Sequence, residues 1–103
     1  MLFKLRRIAK WRIGFVVIDG MTAENIPPEF QRYVETGQLC VRERYTTVIE
    51  VYSARMLRRQ NNKRPEFVAK PGDVISMTTS KNQKLTVTTK EDFNNNFEIK
   101  EID

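Results

Sequence analysis

The sequence predicts an α+β fold: a strongly bent antiparallel sheet or small open β-barrel of roughly five or six strands, with one or two short helices. Three observations carry this. The stretch Leu39 to Met56 is dense in Val, Ile, Thr and Tyr, residues that suit a pleated, half-buried surface. Turn-forming groups, Asp19-Gly20, Asn61-Asn62 and Lys70-Pro71-Gly72-Asp73, divide the chain into strand-length pieces. Helix-start signals occur at only two places, Pro27-Pro28 and Thr89.

Taken in chain order, Phe3 to Arg12 mixes apolar and basic residues without a clean period, so helix and strand both stay open. Ile13 to Ile18 reads as a buried strand closed by Asp19-Gly20. Pro27-Pro28 opens a short helix over 29–35, with Glu29 at its positive end and Gly37 as its stop. Leu39 to Met56 is too long for one straight strand, which predicts two strands joined near Arg44 or one strand with a bulge. On that reading Val41, Glu43, Tyr45 and Thr47 share one face, and Arg42, Arg44 and Thr46 the other. Arg58 to Pro65 is a polar, basic loop joining two antiparallel strands, followed by a short strand over 66–69. In the Lys70–Asp73 turn, Pro fixes one dihedral, Gly permits a positive one, and Asp73 is placed to accept from nearby amides. Val74 to Thr89 reads as a strand–turn–strand hairpin. Thr89, followed by Glu91 and Asp92, resembles an N-cap for one helical turn, on which Phe93 and Phe97 meet four residues apart. Phe97 to Ile102 completes the chain as an edge strand.

The 103 residues correspond to one domain, 1–103, large enough to bury one modest core. The longest apolar run, Phe15-Val16-Val17-Ile18, has strand length, too short for a membrane span or a signal-peptide core. There is no histidine, which excludes Ser-His and Cys-His nucleophile systems. A single cysteine, Cys40, excludes an internal disulfide and, with histidine absent, the usual zinc sites. Cytoplasm is the compartment expected from this cysteine usage. The four glycines, Gly14, Gly20, Gly37 and Gly72, are scattered and form no phosphate loop. No catalytic residues, cofactor or metal are expected.

Charge is the strongest functional signal. Eighteen Lys and Arg against thirteen Asp and Glu give a net charge of +5, unevenly distributed. Residues 1–12 hold Lys4, Arg6, Arg7, Lys10 and Arg12 with no acid. Residues 53–70 hold Arg55, Arg58, Arg59, Lys63, Arg64 and Lys70 against Glu66 alone. Such asymmetry is the footprint of a polyanion-binding surface, although a solvated basic surface accounts for the same charges. Trp11 and Tyr45 lie among the arginines and are positioned in sequence to stack on bases. The candidate partner-binding residues are Arg58, Arg59, Lys63 and Arg64 in the loop, extended by Arg6, Arg7, Trp11 and Arg12 if strand order brings them alongside.

From Ala69 onward the chain resembles a segment common at the end of small proteins of tailed phages and prophages: Gly-Asp-aromatic-Ile, a hairpin, then Phe and a Tyr-Glu pair. Here it reads Lys70-Pro71-Gly72-Asp73-Val74-Ile75, a hairpin around Lys81-Asn82-Gln83-Lys84, Leu85-Thr86-Val87, Asp92-Phe93 and Phe97-Glu98. Val74 stands where an aromatic is usual, and Phe97 where Tyr is common. The resemblance implies a phage-type accessory protein, a class without catalytic residues to carry over, acting in the host-cell cytoplasm if phage-encoded. Two functional expectations follow: a non-enzymatic protein that binds and modulates a host or phage protein, or a module that binds RNA or single-stranded DNA through its basic segments.

Overall fold

The strand expected over Ile13 to Ile18 runs from Arg12 to Val16 and is the central strand of a five-stranded antiparallel sheet. A computed structural model describes residues 2–7, 10–58, 64–78 and 84–101. Its strands are β1 (Leu2–Arg6), β2 (Arg12–Val16), β3 (Leu39–Glu43), β4 (Thr47–Val51), β5 (Phe67–Ala69), β6 (Val74–Thr78), β7 (Leu85–Thr88) and β8 (Glu98–Glu101). They form two antiparallel sheets, β7-β6-β2-β1-β8 and β3-β4-β5, and neither closes into a barrel. The α-helices α1 (Gln31–Glu35), α2 (Ala54–Arg58) and α3 (Lys90–Asn96) are short. The fold class is thus the α+β that the sequence predicts, but among the described residues eight strands lie in two separate sheets, where five or six in one bent sheet or small open barrel were expected, and three short α-helices where one or two were.

Pairing registers decide which side chains share a face. In the large sheet, Leu2 and Ile13, Phe15 and Ile75, and Val87 and Leu85 turn to one side through the pairs Leu2↔Phe15, Phe15↔Ile75 and Ile75↔Val87. The small sheet turns Leu39, Val41, Ile49, Val51 and Ala69 to its own inner side through Leu39↔Val51, Val41↔Ile49 and Ile49↔Ala69. These two apolar faces meet in one core, which Phe30 and Tyr33 complete from the helical segment that begins at Pro28. Phe30 meets Phe15 edge-on, with ring centroids 4.9 Å apart, a favourable quadrupolar geometry. Asp19 and Gly20 tie the β2–α1 connection to β4: the Thr47 amide donates to Asp19 Oδ1, and the Gly20 amide to Thr47 Oγ1, both at 2.9 Å.

The opposite face of the large sheet carries a second, smaller core of Phe3, Leu5, Val74 and Phe93, with Val16 and Phe97 packed against it. Gly14 lies beneath this layer. A Cβ there would come within 2.8 Å of Leu5 Cδ2 and 3.0 Å of the Ile75 carbonyl, so the close approach requires glycine. The α3 helix is fixed over the face from its N-terminus. Thr89 Oγ1 accepts from the Asp92 amide at 3.3 Å, the cap expected from sequence. Asp73 accepts from the Lys70 amide within its turn and, through its other oxygen, from the Lys90 amide of α3, both at 3.0 Å. Gly72 has φ +93°, a left-handed conformation that glycine adopts without strain, so the turn itself calls for glycine.

Several local readings are sharpened. The segment left ambiguous at the N-terminus is a hairpin of β1 and β2. Leu39 to Met56 does contain two strands, but strand ends at Val51 and residues 54–58 are helical. Tyr45 does not share a face with Val41 and Thr47; it sits fully exposed in the turn between β3 and β4. The Asn61-Asn62 turn and the hairpin tip around residues 81–83 lie outside the described residues. The Phe93–Phe97 contact predicted from spacing is present, with centroids 5.7 Å apart, and Phe3 approaches Phe93 at 5.5 Å. Since Phe93 is 7% exposed, Phe93→Ala is expected to cost about 3–5 kcal/mol, a large part of a small domain's roughly 5–15 kcal/mol. Urea denaturation measures this, and a midpoint equal to wild type would place Phe93 outside the core.

Candidate functional site

Because α3 covers only part of its face of the large sheet, the remainder is open. The residues left there follow from alternation. In β7, Leu85 and Val87 point to the main core, so Thr86 and Thr88 take the other side. The pairs Arg12↔Thr78, Ser76↔Thr86 and Val74↔Thr88 place Arg12, Thr78, Thr86 and Thr88 on that same side. Together with Arg6 at the end of β1, Arg7 and Lys10 of the β1–β2 connection, and Val87, Asp92 and Phe97, they line a groove of about 540 Å³. That volume lies within the range of small-ligand sites.

The four cations of the groove are in different electrostatic situations. Arg6 stands opposite Glu98 in the β1–β8 ladder, and its Nε meets Glu98 Oε2 at 2.8 Å. Its guanidinium also lies 4.5 Å from the centroid of the Trp11 ring, within cation–π range. Arg6 is therefore held between a carboxylate and an indole. Among the described residues, Arg7, Lys10 and Arg12 have no carboxylate within salt-bridge distance. The groove thus combines three cations without an acidic partner and three threonines, and its Asp92 stands at the N-terminal turn of α3. Such a lining favours an anionic ligand that accepts hydrogen bonds. Ser76, in the same register row as Thr86, is fully buried, and its Oγ has no hydrogen-bond partner among the described residues.

The sequence-predicted site residues divide accordingly. Arg6, Arg7 and Arg12 line the groove, and Trp11, half-buried, joins it through Arg6. Arg58 is the exposed last residue of α2 and Arg64 is exposed just before β5; neither lines the groove. Arg59 and Lys63 lie outside the described residues. Sequence reasoning missed the threonines, although the alternation in Leu85-Thr86-Val87-Thr88 signals a hydroxyl-bearing strand face. Their juxtaposition with Arg12 has no local signal, since it spans three strands.

A second polar cluster lies on the outer side of the small sheet. Arg42 Nε donates to Glu50 Oε1 at 3.0 Å, and the Tyr52 hydroxyl donates to the same oxygen at 3.2 Å. The hydrogen bond to Glu50 raises the pKa of the exposed Arg42 guanidinium. Cys40, in β3, directs its thiol to the Gly37 carbonyl at 3.3 Å. Among the described residues no group of three or more His, Cys, Asp or Glu is arranged to hold a metal ion, and no helix is long and apolar enough to cross a membrane.

No protein family, no curated protein and no solved structure matches this chain.

The Glu50 cluster generates a pH prediction. Partial burial first, then the Glu50 charge, lifts the Tyr52 phenol above its ordinary 10.0. The folded state therefore holds this proton more tightly than the unfolded chain. The resulting stabilisation is complete below the unfolded value and is lost as pH rises through the folded one. In Glu50→Gln the Tyr52 midpoint is expected to fall. Ultraviolet difference titration against a Tyr52→Phe reference reads it, and an unchanged midpoint would remove Glu50 as a cause.

Proposed function

We propose that this chain is a non-enzymatic accessory protein, of the phage type its C-terminal segment resembles, that acts in the host-cell cytoplasm by binding nucleic acid through the basic groove. One observation carries this reading: Arg7, Lys10 and Arg12, without acidic partners among the described residues, border the same groove as Thr78, Thr86 and Thr88. Phosphate oxygens are contacted chiefly by Arg and Lys, with Ser and Thr hydroxyls among the supplementary donors. Each phosphate neutralised releases condensed counterions, so the cations provide affinity, and the half-buried Thr86 hydroxyl helps to fix position. The cations of Arg58, Arg59, Lys63 and Arg64 then supply a second contact on a long polymer.

The test is fluorescence anisotropy on labelled RNA and single-stranded DNA across a salt series. The triple variant Arg7→Gln, Lys10→Gln, Arg12→Gln is expected to bind more weakly and to flatten the slope of log affinity against log salt by about 2, at roughly 0.7 per contact. The variant with Arg58, Arg59, Lys63 and Arg64 changed to Gln serves as the comparison. If it abolishes binding while the groove variant keeps wild-type affinity and slope, the groove is not the site. Tight binding to an acidic polypeptide with none to nucleic acid would assign the groove to a protein partner.

A further inference from the structure

We infer that two copies of this chain pair through β8, strand against strand, about a two-fold axis at Ile99. The pairing goes beyond the nucleic-acid reading of the groove and does not depend on it.

Strand β8 lies at one edge of the large sheet, with β1 on its inner side and no strand among the described residues on its outer side. An edge strand presents a row of unpaired amides and carbonyls that a second strand can extend. Ile99 is 52% exposed, although it stands opposite Leu5, which is fully buried. It carries the Leu5 row of the smaller core out to the edge of the sheet. On the other face Lys100 stands directly opposite Lys4, and both are exposed. Among the described residues neither lysine has a carboxylate within salt-bridge distance. Like charges directly opposite each other work against strand pairing, and an acidic neighbour beyond Lys100 offsets this.

A second copy supplies that neighbour. Two antiparallel β8 strands can pair in registers centred on different residues. Centred on Ile99, the pair sets Ile99 against Ile99 and, on each side of the axis, Glu98 against Lys100 of the other copy. Centred on Lys100, it sets lysine against lysine at the axis. Centred between the two, it sets each Ile99 against a lysine. Charge and apolar contact select the first register. Glu98 is able to serve two cations, because Arg6 Nε meets its Oε2 at 2.8 Å and a carboxylate has a second accepting oxygen. The two-fold contact is isologous and closes at two copies. It joins the two large sheets into one continuous sheet. Arg12, Leu5 and Ile99 share one face, so both basic grooves open on the same side. The two β2 strands are then five strand spacings apart, roughly 24 Å.

Sedimentation equilibrium of the native chain, without nucleic acid, reads the pairing, so its outcome is separate from that of the groove assignment. A short strand pair buries less than the roughly 1,200 Å² of persistent complexes, and a dissociation constant on the order of 10–100 μM is expected. Lys100→Glu and Glu98→Lys, each alone, set like charges opposite each other on both sides of the axis. Each is expected to weaken dimerisation about tenfold or more. An equimolar mixture of the two variants again opposes unlike charges and should recover dimerisation. A native chain that stays monomeric to about 1 mM overturns the inference. Dimerisation that neither variant weakens places the contact elsewhere and overturns it too. Loss in each variant without recovery in the mixture overturns the register centred on Ile99. Glu98→Lys also removes the Arg6 contact, so hydrogen exchange of the native chain gives a second reading. The β8 amides should exchange more slowly above the dissociation constant than below it, and equal exchange at both concentrations excludes β8 from the contact.

Discussion

Two strands far apart in sequence, β2 and β6, lie side by side with Gly14 opposite Ser76 and Phe15 opposite Ile75, and the rest of the structure is built on that register. It joins the N-terminal hairpin to the C-terminal hairpin and so creates the five-stranded sheet. Strand side chains alternate, so a slip of one residue would exchange the faces, sending Phe15 toward α3 and Gly14 into the main core. The space at Gly14 is too tight for any other register to be tolerated easily: only a residue without a Cβ passes between Leu5 and the β6 backbone. The same pairing sets Arg12 beside Thr78 at the open end of the sheet. Packing of the core and composition of the groove are thus two consequences of one alignment.

Both faces of the large sheet are covered, but unequally. The small sheet and the segment around Phe30 close one face. On the other, α3 seals only the area around Phe3, Leu5 and Val74. A helix of seven residues reaches roughly 10 Å at 1.5 Å per residue, less than the width of five strands at nearly 5 Å spacing. The uncovered part therefore meets solvent at Arg7 and Lys10, which are exposed, with Arg12 and Thr86 half-buried beside them and Thr88 buried. The turn at Gly72 and Asp73 matters here because it holds α3 at one end of the face through the Lys90 amide. The length and anchorage of α3 leave the groove open.

Much of this was legible in the sequence wherever the signal is local. The β3–β4 hairpin follows from a β-branched run too long for one strand, and the Thr89 cap and the Phe93–Phe97 contact follow from spacing. The N-terminal strand was obscured because both of its faces bury apolar groups: Leu2 packs toward the main core, while Phe3 and Leu5 pack beneath α3. Two-sided burial removes the alternation that marks a strand. Of the helical residues 54–58, the first three fall in the stretch read as strand and Arg58 in the loop, although Ala, Arg, Met and Leu are strong helix formers and Ser53 Oγ accepts from the Met56 amide at 3.1 Å in the manner of an N-cap. The groove itself could not be read from sequence. Arg12, Thr78 and Thr86 come from three strands, and only the registers bring them together.

Proposed binding of nucleic acid on the open face of the large sheet is tested most directly by backbone amide shift mapping with nuclear magnetic resonance. Titration of labelled protein with a single-stranded oligonucleotide should perturb the amides of Arg7, Lys10, Trp11, Arg12, Thr78, Thr86 and Thr88, leaving the Arg42–Thr46 hairpin and its Glu50 cluster unshifted. Perturbations confined to that hairpin or to the Arg58 and Arg64 region, with the groove amides unmoved, would contradict the claim.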